Sequence, residues 1–477
     1  MKRRTKIIAT IGPACDDEKT MLGLIDAGMD VARINMSHGT IEEGLARFHL
    51  IRRLAKQAGR HVGILVDLPG PKVRCASFGD DPVRLKVGTT VKLEVGNDKS
   101  TADTIEVNYE GLVSDIQVGD TLNMGDGRAI FEVTEKQPEH LVATIIHGGK
   151  VSGRPGLHVP SDRLRMSTPT DEDLVILDAF VEVGVDMVAL SFVRSAHEVR
   201  RVGTEPHPRG PLVIAKVETR AAVENLEGII EASGAVMVAR GDLGNELPIE
   251  DLPSVQKEII SKCIALGRPA ITATQMLESM IDSPAPTRAE ASDVANAVWD
   301  GSSAVMLSGE TAVGADPINT LRTMGRIARR ADEDFDHERW ARRIAQLRMT
   351  GGADPNAAVT DAMTMAAWRA TSELKVKTIV AVSGSGFTVR SMSRFRPAAR
   401  ILGFSANPRT VDQLTLSWGT TPINLSGQST SNEEMAAEAV KIAKELGHVS
   451  TGELVAVLAG ATTSSQSANV LRLVTVE

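Results

Sequence analysis

The sequence predicts an α/β protein: a (β/α)8 TIM barrel with an inserted small β-barrel lid domain and a C-terminal α/β domain. Three observations support this fold class. The chain has 477 residues, enough for roughly three domains at a prior of about 150 residues each. Eight short apolar runs recur with helical stretches between most of them, which is the strand count of such a barrel. A stretch of different periodicity interrupts the series after the third run.

The eight apolar runs are rich in Ile, Val and Ala, and they are continuous rather than alternating. Continuous runs are typical of strands buried on both faces. Two segments between them, Asp251–Leu266 and Thr287–Trp299, have the spacing of amphipathic helices. The predicted barrel strands are Lys6–Thr10, Asp30–Asn35, Val62–Asp67, Asp186–Ser191, Leu212–Lys216, Ala235–Arg240, Pro269–Ala273 and Ser303–Leu307.

The interruption after the third run has the pattern of a small β-domain. Thr89–Val95, Thr104–Asn108 and Leu141–Ile146 show a period of two, and Gly125-Asp126-Gly127 is a turn signal. Barrel-like sequence resumes at a helix start beginning with Thr168. We therefore expect barrel segments at 1–68 and 166–333, with the inserted domain at 69–165.

The remaining segment, 334–477, is predicted to be the C-terminal α/β domain, with a regulatory or oligomerisation role. A charged helix is expected from about Ala331 through Arg348, followed by a break rich in Gly, Asp, Pro and Asn. Five strand-like runs alternating with helices predict a five-stranded sheet: Val376–Val382, Arg400–Phe404, Thr421–Asn424, Leu454–Leu458 and Leu471–Val476.

Composition excludes several classes of partner. The 53 basic and 61 acidic residues give a formal net charge of −8, which argues against nucleic acid and membrane surfaces. No apolar run approaches the roughly 18 residues of a membrane span. The three cysteines are an odd number at unrelated spacings, so reduced thiols in a cytoplasmic protein are expected. A small phosphorylated substrate remains compatible, because it needs only a few local cations.

Charged residues stand at the ends of the predicted fifth and sixth strands. Lys216 and Glu218 are two apart, so their side chains point to the same side of an extended strand. An internal ion pair would explain these two alone. Asp242, one βα unit later on a Gly-Asp-Leu-Gly turn, adds a second carboxylate. Two carboxylates suit a hard divalent cation such as Mg²⁺, and a lysine beside it suits phosphoryl transfer.

Polar residues also end the neighbouring predicted strands. Each alone is typical of a cap or a turn, but together, on successive strand ends of one barrel, they indicate a site. His38 remains open between a hydrogen-bonded turn residue and a ligand contact. The candidates are Arg33 and Arg74 as hydrogen-bond donors to phosphate, Asn35, Ser37 and Asp67 as oxygen ligands, and the hydroxyls of Thr274 and Ser308.

The segments that carry these residues resemble the pyruvate kinase family. They are Ala32–Gly39, Lys216–Glu218, Met237–Gly244, Ala273–Met280 and Met306–Ala312. Their order and spacing agree along the barrel, and the resemblance covers essentially the whole chain. It implies transfer of the phosphoryl group of phosphoenolpyruvate to ADP, giving pyruvate and ATP in the last step of glycolysis. It also implies Mg²⁺ or Mn²⁺ as cofactor and a homotetramer.

The resemblance also implies roles for single residues. Glu218 and Asp242 would hold the metal, and Lys216 and Arg33 would act on the phosphoryl group. Gly241, Asp242 and Thr274 would line the carboxylate site, with Thr274 near the face that is protonated. The catalytic candidates are thus Lys216, Arg33, Thr274 and Ser308, and those on the nucleotide side are Asn35, His38 and Arg74.

One departure from the family pattern concerns potassium. Potassium-requiring members carry Asp-Thr-Lys-Gly-Pro-Glu after the third strand, whereas this chain has Asp67 through Lys72 as Asp-Leu-Pro-Gly-Pro-Lys. The Lys72 ammonium could take the place of bound K⁺, since both are compact monovalent cations. Alternatively, Lys72 faces solvent at the hinge of the lid. The first reading predicts that K⁺ is not required, with a cation region of Asn35, Ser37, Asp67, Leu68 and Lys72.

Two further departures concern the lid and regulation. The family often has Lys-Lys where this chain has Gly153-Arg154, so Arg154 is a candidate nucleotide contact. In the C-terminal domain, a loop of hydroxyls and glycines follows a strand and should open a helix. The matching family loop binds an effector phosphate, which predicts a phosphorylated sugar, although an ordinary capped helix start is equally compatible. The loop residues concerned are Ser383, Ser385, Gly386 and Thr388.

Two alternative functions remain at this stage. Another metal-dependent barrel enzyme acting on phosphoenolpyruvate or pyruvate, a lyase or an aldolase, would need the carboxylates and the metal but neither the lid nor Lys216. A non-catalytic regulatory paralogue would keep the fold, but loss of Lys216, Glu218 or Asp242 would be expected. Phosphoryl transfer to ADP separates these alternatives from the kinase.

Overall fold

The protein is a closed eight-stranded parallel barrel with a sheet domain at each end, as seen in a computed structural model. The structure describes residues 3–125, 127–348, 355–425, 432–460 and 468–477. This confirms the predicted fold class, and each predicted barrel strand is present within one or two residues. The barrel strands, first to eighth, are Lys6–Ile11, Val31–Asn35, Gly63–Asp67, Met187–Leu190, Leu212–Val217, Ala235–Ala239, Ala270–Ala273 and Ala304–Leu307.

The barrel strands are apolar on both faces because each face is buried. One set of side chains packs outward against the helices, and the other fills the barrel interior. The interior cluster includes Ile8, Leu65 and Met237 from three different strands. It also includes Leu416, which comes from the C-terminal part of the chain.

Helices cover the outside of the barrel, and three of them begin with a reciprocal capping box at Thr40, Thr170 or Thr287. The prediction of a single charged helix from about Ala331 to Arg348 is wrong, because the helix that contains Ala331 ends at Glu333 and a new helix begins at His337. The helices are Glu18–Ala27, Ile41–Gln57, Asp171–Glu182, Ala196–Arg200, Arg220–Glu224, Leu226–Ala232, Arg240–Glu246, Leu252–Ala265, Arg288–Asp300, Gly309–Ala312, Pro317–Glu333 and His337–Arg348, with a 3-10 turn at Glu278–Ile281.

The insertion after the third barrel strand forms a six-stranded sheet and a two-stranded sheet around a hydrophobic core of its own. Alternating burial along Ala129–Lys136 and His140–His147 matches the period of two in the sequence. Asp126 of the predicted turn lies outside the described residues. The other elements are Val83–Arg84, Thr90–Val95, Thr104–Val107, Thr121–Met124, Lys150–Val151, Leu157–His158 and a short helix at Leu112–Asp115.

The C-terminal part contains the predicted five-stranded sheet, whose last strand is antiparallel to its neighbour. It packs against the amino ends of the barrel strands, where Gln413 Nε2 donates to the Asp186 carbonyl at 3.1 Å. Its strands are Thr378–Val382, Arg400–Ser405, Thr420–Asn424, Leu454–Ala459 and Val470–Thr475, and its helices are Pro355–Glu373, Phe387–Ser393, Pro408–Gln413 and Asn432–Glu445, with a 3-10 turn at Leu414–Leu416.

Within the described residues, no helix is both long and apolar enough to cross a lipid bilayer.

Candidate active site

Lys216 lies between two carboxylates and a hydroxyl at the carboxyl end of the barrel. Its Nζ lies 2.8 Å from Glu218 Oε1 and 3.3 Å from Asp67 Oδ1, and it donates to Ser191 Oγ at 2.8 Å. Burial alone would lower the pKa of Lys216, but Asp67 and Glu218 outweigh burial and raise it. The lysine is therefore a permanent positive charge between two buried carboxylates.

Glu218 has one satisfied and one unsatisfied carboxylate oxygen. Its Oε2 accepts the backbone N–H of Phe192 at 2.7 Å, and Phe192 has a left-handed φ of 54°. Its Oε1 faces the Lys216 ammonium at 2.8 Å without the geometry of a hydrogen bond. Burial and nearby Asp242 raise the pKa of Glu218 to about 7, although Lys216 opposes them. A further cation at this carboxylate would complete its coordination.

Arg33 is held in place by the end of the third strand. Its Nε donates to Asp67 Oδ2 at 2.7 Å and its Nη1 to Thr10 Oγ1 at 2.9 Å. Burial would raise the pKa of Asp67, but Lys216 and Arg33 outweigh it and lower the value. Asp67, on the third strand, thus stays ionised and orients two cations, Arg33 of the second strand and Lys216 of the fifth.

Thr274 and the helix Arg240–Glu246 meet at the next strand ends. The Gly241 N–H donates to Thr274 Oγ1 at 2.9 Å, and Thr274 has a left-handed φ of 67°. That conformation is uncommon for a residue with a branched Cβ, and it is held by Arg240, whose Nη2 donates to the Thr274 carbonyl at 2.6 Å. Asp242 follows Gly241 on the same helix.

A cavity of about 290 Å³ lies between the inserted domain and the carboxyl end of the barrel. His38, Lys72, Arg74 and Asp242 line it, with Gly156–Ser161 of the inserted domain on the opposite side. Burial and the cations Lys72, Arg74 and Arg33 lower the pKa of His38, which favours its neutral form. The cavity therefore presents several positive groups beside the carboxylates of Asp242 and Glu246.

Lys72 points into the molecule rather than into solvent. Its Nζ donates to Ser37 Oγ at 2.6 Å, and the Ser37 N–H donates to Asn35 Oδ1 at 3.2 Å. Burial and Lys216 lower the pKa of Lys72, while Asp67, Asp242 and Glu218 act against them. Leu68 completes this region, because its carbonyl accepts from Ser191 Oγ at 2.7 Å. Lys72, Ser37 and Asn35 are thus joined by hydrogen bonds, and Leu68 and Asp67 both contact Ser191.

Many predicted residues do not line this cavity, among them Lys216, Glu218 and Arg33, and Arg154 and Ser308 are two more. Arg154 is exposed on the inserted domain and donates to Asn97, and it is not among the residues that line the cavity. Ser308 follows the eighth strand, where its N–H donates to Glu310 Oε2 at 2.6 Å, and it does not line the cavity either.

The loop predicted to bind an effector phosphate lies far along the chain, before the helix Phe387–Ser393. Ser383 and Thr388 are buried, at 9% and 6% exposure. Ser385 Oγ accepts the Phe387 N–H at 3.4 Å, as in an ordinary turn before a helix. Gly386 has a φ of 77°, which explains a glycine at that position.

Several residues of the site were missed from the sequence. Ser191 and Phe192, which hold Lys216 and Glu218, end the fourth strand; a Ser at a barrel strand end was the available signal. Glu246 was also missed. It accepts from Ser161 N at 3.0 Å and Ser161 Oγ at 2.7 Å, and pairs with His158 Nε2 at 2.9 Å. No sequence pattern announces that contact between the inserted domain and the barrel.

The fold and this arrangement of cations and carboxylates define a phosphotransferase built on a (β/α)8 barrel. The family model "Pyruvate kinase, barrel domain" matches residues 2–321, and "Pyruvate kinase, alpha/beta domain" matches residues 361–474. The chain belongs to the pyruvate kinase family. Its activity is pyruvate kinase activity, and a lyase, an aldolase or a non-catalytic paralogue is not favoured.

Individual relatives agree with the family models. The chain is 38% identical to a pyruvate kinase of Bacillus licheniformis, covering 99% of this chain and 80% of that protein. It is 40% identical to a pyruvate kinase of Mycobacterium intracellulare, covering 97% and 96%. A crystal structure of a pyruvate kinase from Cryptosporidium parvum superposes with a TM-score of 0.89 at 33% identity, covering 100% of this chain and 96% of that one.

Proposed function

We propose that Lys216, Glu218 and Asp242 form the centre at which the phosphoryl group of phosphoenolpyruvate passes to ADP. One observation carries this proposal: the Lys216 ammonium lies 2.8 Å and 3.3 Å from two buried carboxylates at the mouth of the barrel. A phosphoryl group in transit carries negative charge, and a fixed ammonium stabilises it without reorganisation. Arg33, fixed by Asp67, adds a second cation from the second barrel strand.

Glu218 and Asp242 are the residues that would hold a divalent cation, Mg²⁺ or Mn²⁺. The unsatisfied Glu218 Oε1 and the Asp242 carboxylate in the cavity are oxygen ligands of the kind these ions take. Among the described residues no group of three or more His, Cys, Asp or Glu side chains could hold a metal. Such an ion would neutralise charge on the phosphoryl oxygens, with water and substrate supplying its other ligands.

Thr274 and Gly241 would bind the carboxylate of phosphoenolpyruvate. The hydroxyl already accepts the Gly241 N–H, so the two groups are fixed relative to each other and to Asp242. In this arrangement Thr274 stands near the face where the enolate is protonated to pyruvate. Ser308, on the eighth strand end, would supply a further catalytic hydroxyl.

ADP would lie between the barrel and the inserted domain, against Asn35, His38 and Arg74. The inserted domain would act as a lid, excluding the water that competes with ADP for the phosphoryl group. Its contact with Glu246 at 2.7–3.0 Å ties it to the helix that carries Asp242. Arg154 would reach the nucleotide only after a movement of the lid.

Lys72 would supply the monovalent charge that other members of the family take from K⁺. Its position on Ser37, beside Asn35, Asp67 and Leu68, supports this assignment. Activity without K⁺ follows from it, because the ammonium is permanently attached to the chain.

The broader assignments rest on the family resemblance. We propose domain boundaries of 1–68 and 166–333 for the barrel, 69–165 for the lid and 334–477 for the C-terminal domain. The chain would act in the cytoplasm as a homotetramer, without nucleic-acid or membrane partners. A phosphorylated sugar would bind at Ser383, Ser385, Gly386 and Thr388 after rearrangement of their turn.

A coupled assay for pyruvate tests this proposal. The protein is incubated with phosphoenolpyruvate, ADP and Mg²⁺, with and without K⁺, and pyruvate and ATP are both measured. We expect equal amounts of pyruvate and ATP, formed at the same rate with and without K⁺. Pyruvate without ATP would refute phosphoryl transfer to ADP. A strong stimulation by K⁺ would refute the role of Lys72 while leaving the reaction itself intact.

A further inference from the structure

A small cavity lies on the opposite end of the barrel from the active site, where the C-terminal domain packs. Its volume is about 20 Å³, enough for one water molecule or one monatomic ion. Arg268 precedes the seventh barrel strand, and Arg390 and Arg394 belong to the C-terminal domain. Ser417, also from the C-terminal domain, lines the cavity as well.

Unpaired hydrogen-bond donors are concentrated on these lining residues. The described part of the chain has nine buried side-chain nitrogen or oxygen atoms without a hydrogen-bond partner. Five of them belong to residues that line this one cavity. They are Arg268 Nε, Arg390 Nε, Arg390 Nη1, Arg394 Nε and Ser417 Oγ.

In the described part of the chain, no ion pair balances the charge of Arg390, and Arg268 has only the charge of nearby Glu231, whose backbone carbonyl accepts from Arg268 Nη2 at 3.3 Å. Arg394 has an ion-pair partner in Asp361, but among the ion pairs of the described residues none includes Arg268 or Arg390. Arg390 is 3% exposed, and its Nη2 is shared between the Ser385 carbonyl and His207 Nε2, each at 3.0 Å. An unbalanced buried guanidinium is costly, so a counter-ion is expected.

The field at this position is strongly positive. Burial, followed by the charge of Arg268, lowers the pKa of Arg390 to about 9. Burial, followed by Arg390 and Arg268, lowers the pKa of His207 to about 3, so this histidine is neutral and can accept the hydrogen bond from Arg390. Burial is the larger cause of both pKa shifts, and the neighbouring guanidinium groups add to it.

A water molecule does not match this set of partners. Its oxygen accepts about two hydrogen bonds, and its two hydrogens need acceptors of their own. Four of the five unpaired atoms are guanidinium nitrogens, which only donate. A monatomic anion accepts from several donors at once and donates to none, and an oxyanion is too large for the space.

We propose that this cavity binds one chloride-sized anion between Arg268 of the barrel and Arg390 of the C-terminal domain. The anion joins the two domains electrostatically. It also fixes the helix Phe387–Ser393, whose Arg390 contacts the Ser385 carbonyl. Nothing in this proposal depends on the assignment of the active site.

Crystals of the full chain grown with NaBr in place of NaCl provide the direct test, since bromide scatters X-rays anomalously near its absorption edge. We expect an anomalous peak within hydrogen-bonding distance of the Arg390 guanidinium. An ordered water without anomalous signal at that position would overturn the proposal.

Thermal unfolding in NaCl and in sodium gluconate at equal ionic strength provides the solution test. We expect chloride to raise Tm by roughly 1–3 °C, because an ion that binds only the folded chain stabilises it. The rise should be lost in Arg268→Met, a half-buried position that tolerates the change more readily than Arg390. It should persist in Arg472→Met, where the arginine is exposed and paired with Glu433. A bromide peak without any chloride effect on Tm would mean binding at crystal concentration only, and would also overturn the proposal.

Discussion

Replacement of Lys216 by methionine tests the centre of the proposed mechanism. Methionine keeps a long, flexible side chain but removes the ammonium from its position 2.8 Å from Glu218 and 3.3 Å from Asp67. Loss of one fixed charge of this kind costs about 3–4 kcal/mol of transition-state stabilisation, or a 10²–10³-fold fall in kcat. Exposed Lys257, which pairs with Asp300, provides a matched control as Lys257→Met.

The same replacement should also lower stability. Removing one partner from a buried ion pair costs about 3–5 kcal/mol, because the remaining carboxylates are buried without compensation. In the variant, burial and Asp242 still raise the pKa of Glu218, while the opposing effect of Lys216 is gone. The folded chain then holds a proton that the unfolded chain releases, so stability falls as pH rises. Denaturant unfolding should therefore show a larger loss at pH 8 than at pH 6, where Glu218 is protonated.

The effect of Lys216→Met on kcat is measured directly. Production of pyruvate is followed with lactate dehydrogenase and NADH at saturating phosphoenolpyruvate, at a temperature where circular dichroism shows the variant to be folded. A kcat within about tenfold of the unchanged protein would refute the role given to Lys216, since it falls below the cost of a fixed charge. A large loss shared by Lys257→Met would show that the effect is not specific to the site.

Three further predictions follow from the site. Lys72→Glu should make activity depend on K⁺, measured as the ratio of rates in KCl and in tetramethylammonium chloride; an unchanged ratio would contradict the role of the ammonium. Glu246→Gln weakens the contacts of Ser161 and His158 with the helix that carries Asp242. Because one charged hydrogen bond is worth roughly 1.5 kcal/mol, kcat/KM for phosphoenolpyruvate should fall about tenfold. An unchanged kcat/KM would show that the lid contact plays no part in the mechanism. Because Glu218 has a pKa raised to about 7, and a metal ligand must be deprotonated, Mg²⁺ affinity should fall about tenfold per pH unit below about pH 7; calorimetric titration showing no change between pH 7 and pH 6 would contradict this.

Much of the fold was predictable because the barrel strands are buried on both faces. A run such as Val62–Asp67 has no polar alternation, so its apolar stretch and its polar end are both visible in the sequence. The charged strand ends followed from the same reasoning, since Lys216 and Glu218 do not belong in a hydrophobic core. The helix break at Asp334–Asp336 was not predictable, because charged residues continue on both sides of it.

The parts of the site that were missed are contacts between distant segments. Ser191 accepts from Lys216 across two neighbouring strands, and Glu246 contacts Ser161 across the junction of the lid and the barrel. Such pairs depend on how loops are placed in space, which local spacing does not encode. Arg154 is exposed in this structure and stays a prediction.

Leu416, from the C-terminal domain, packs into the interior of the barrel at the amino ends of its strands. It is fully buried with Ile8, Leu65 and Met237, although it belongs to the C-terminal sheet domain. A barrel cut off after residue 333 would open its apolar interior to water from below, so we expect such a fragment to aggregate rather than fold. An exchange of C-terminal domains between relatives would therefore have to keep Leu416 matched to the barrel residues that it packs against.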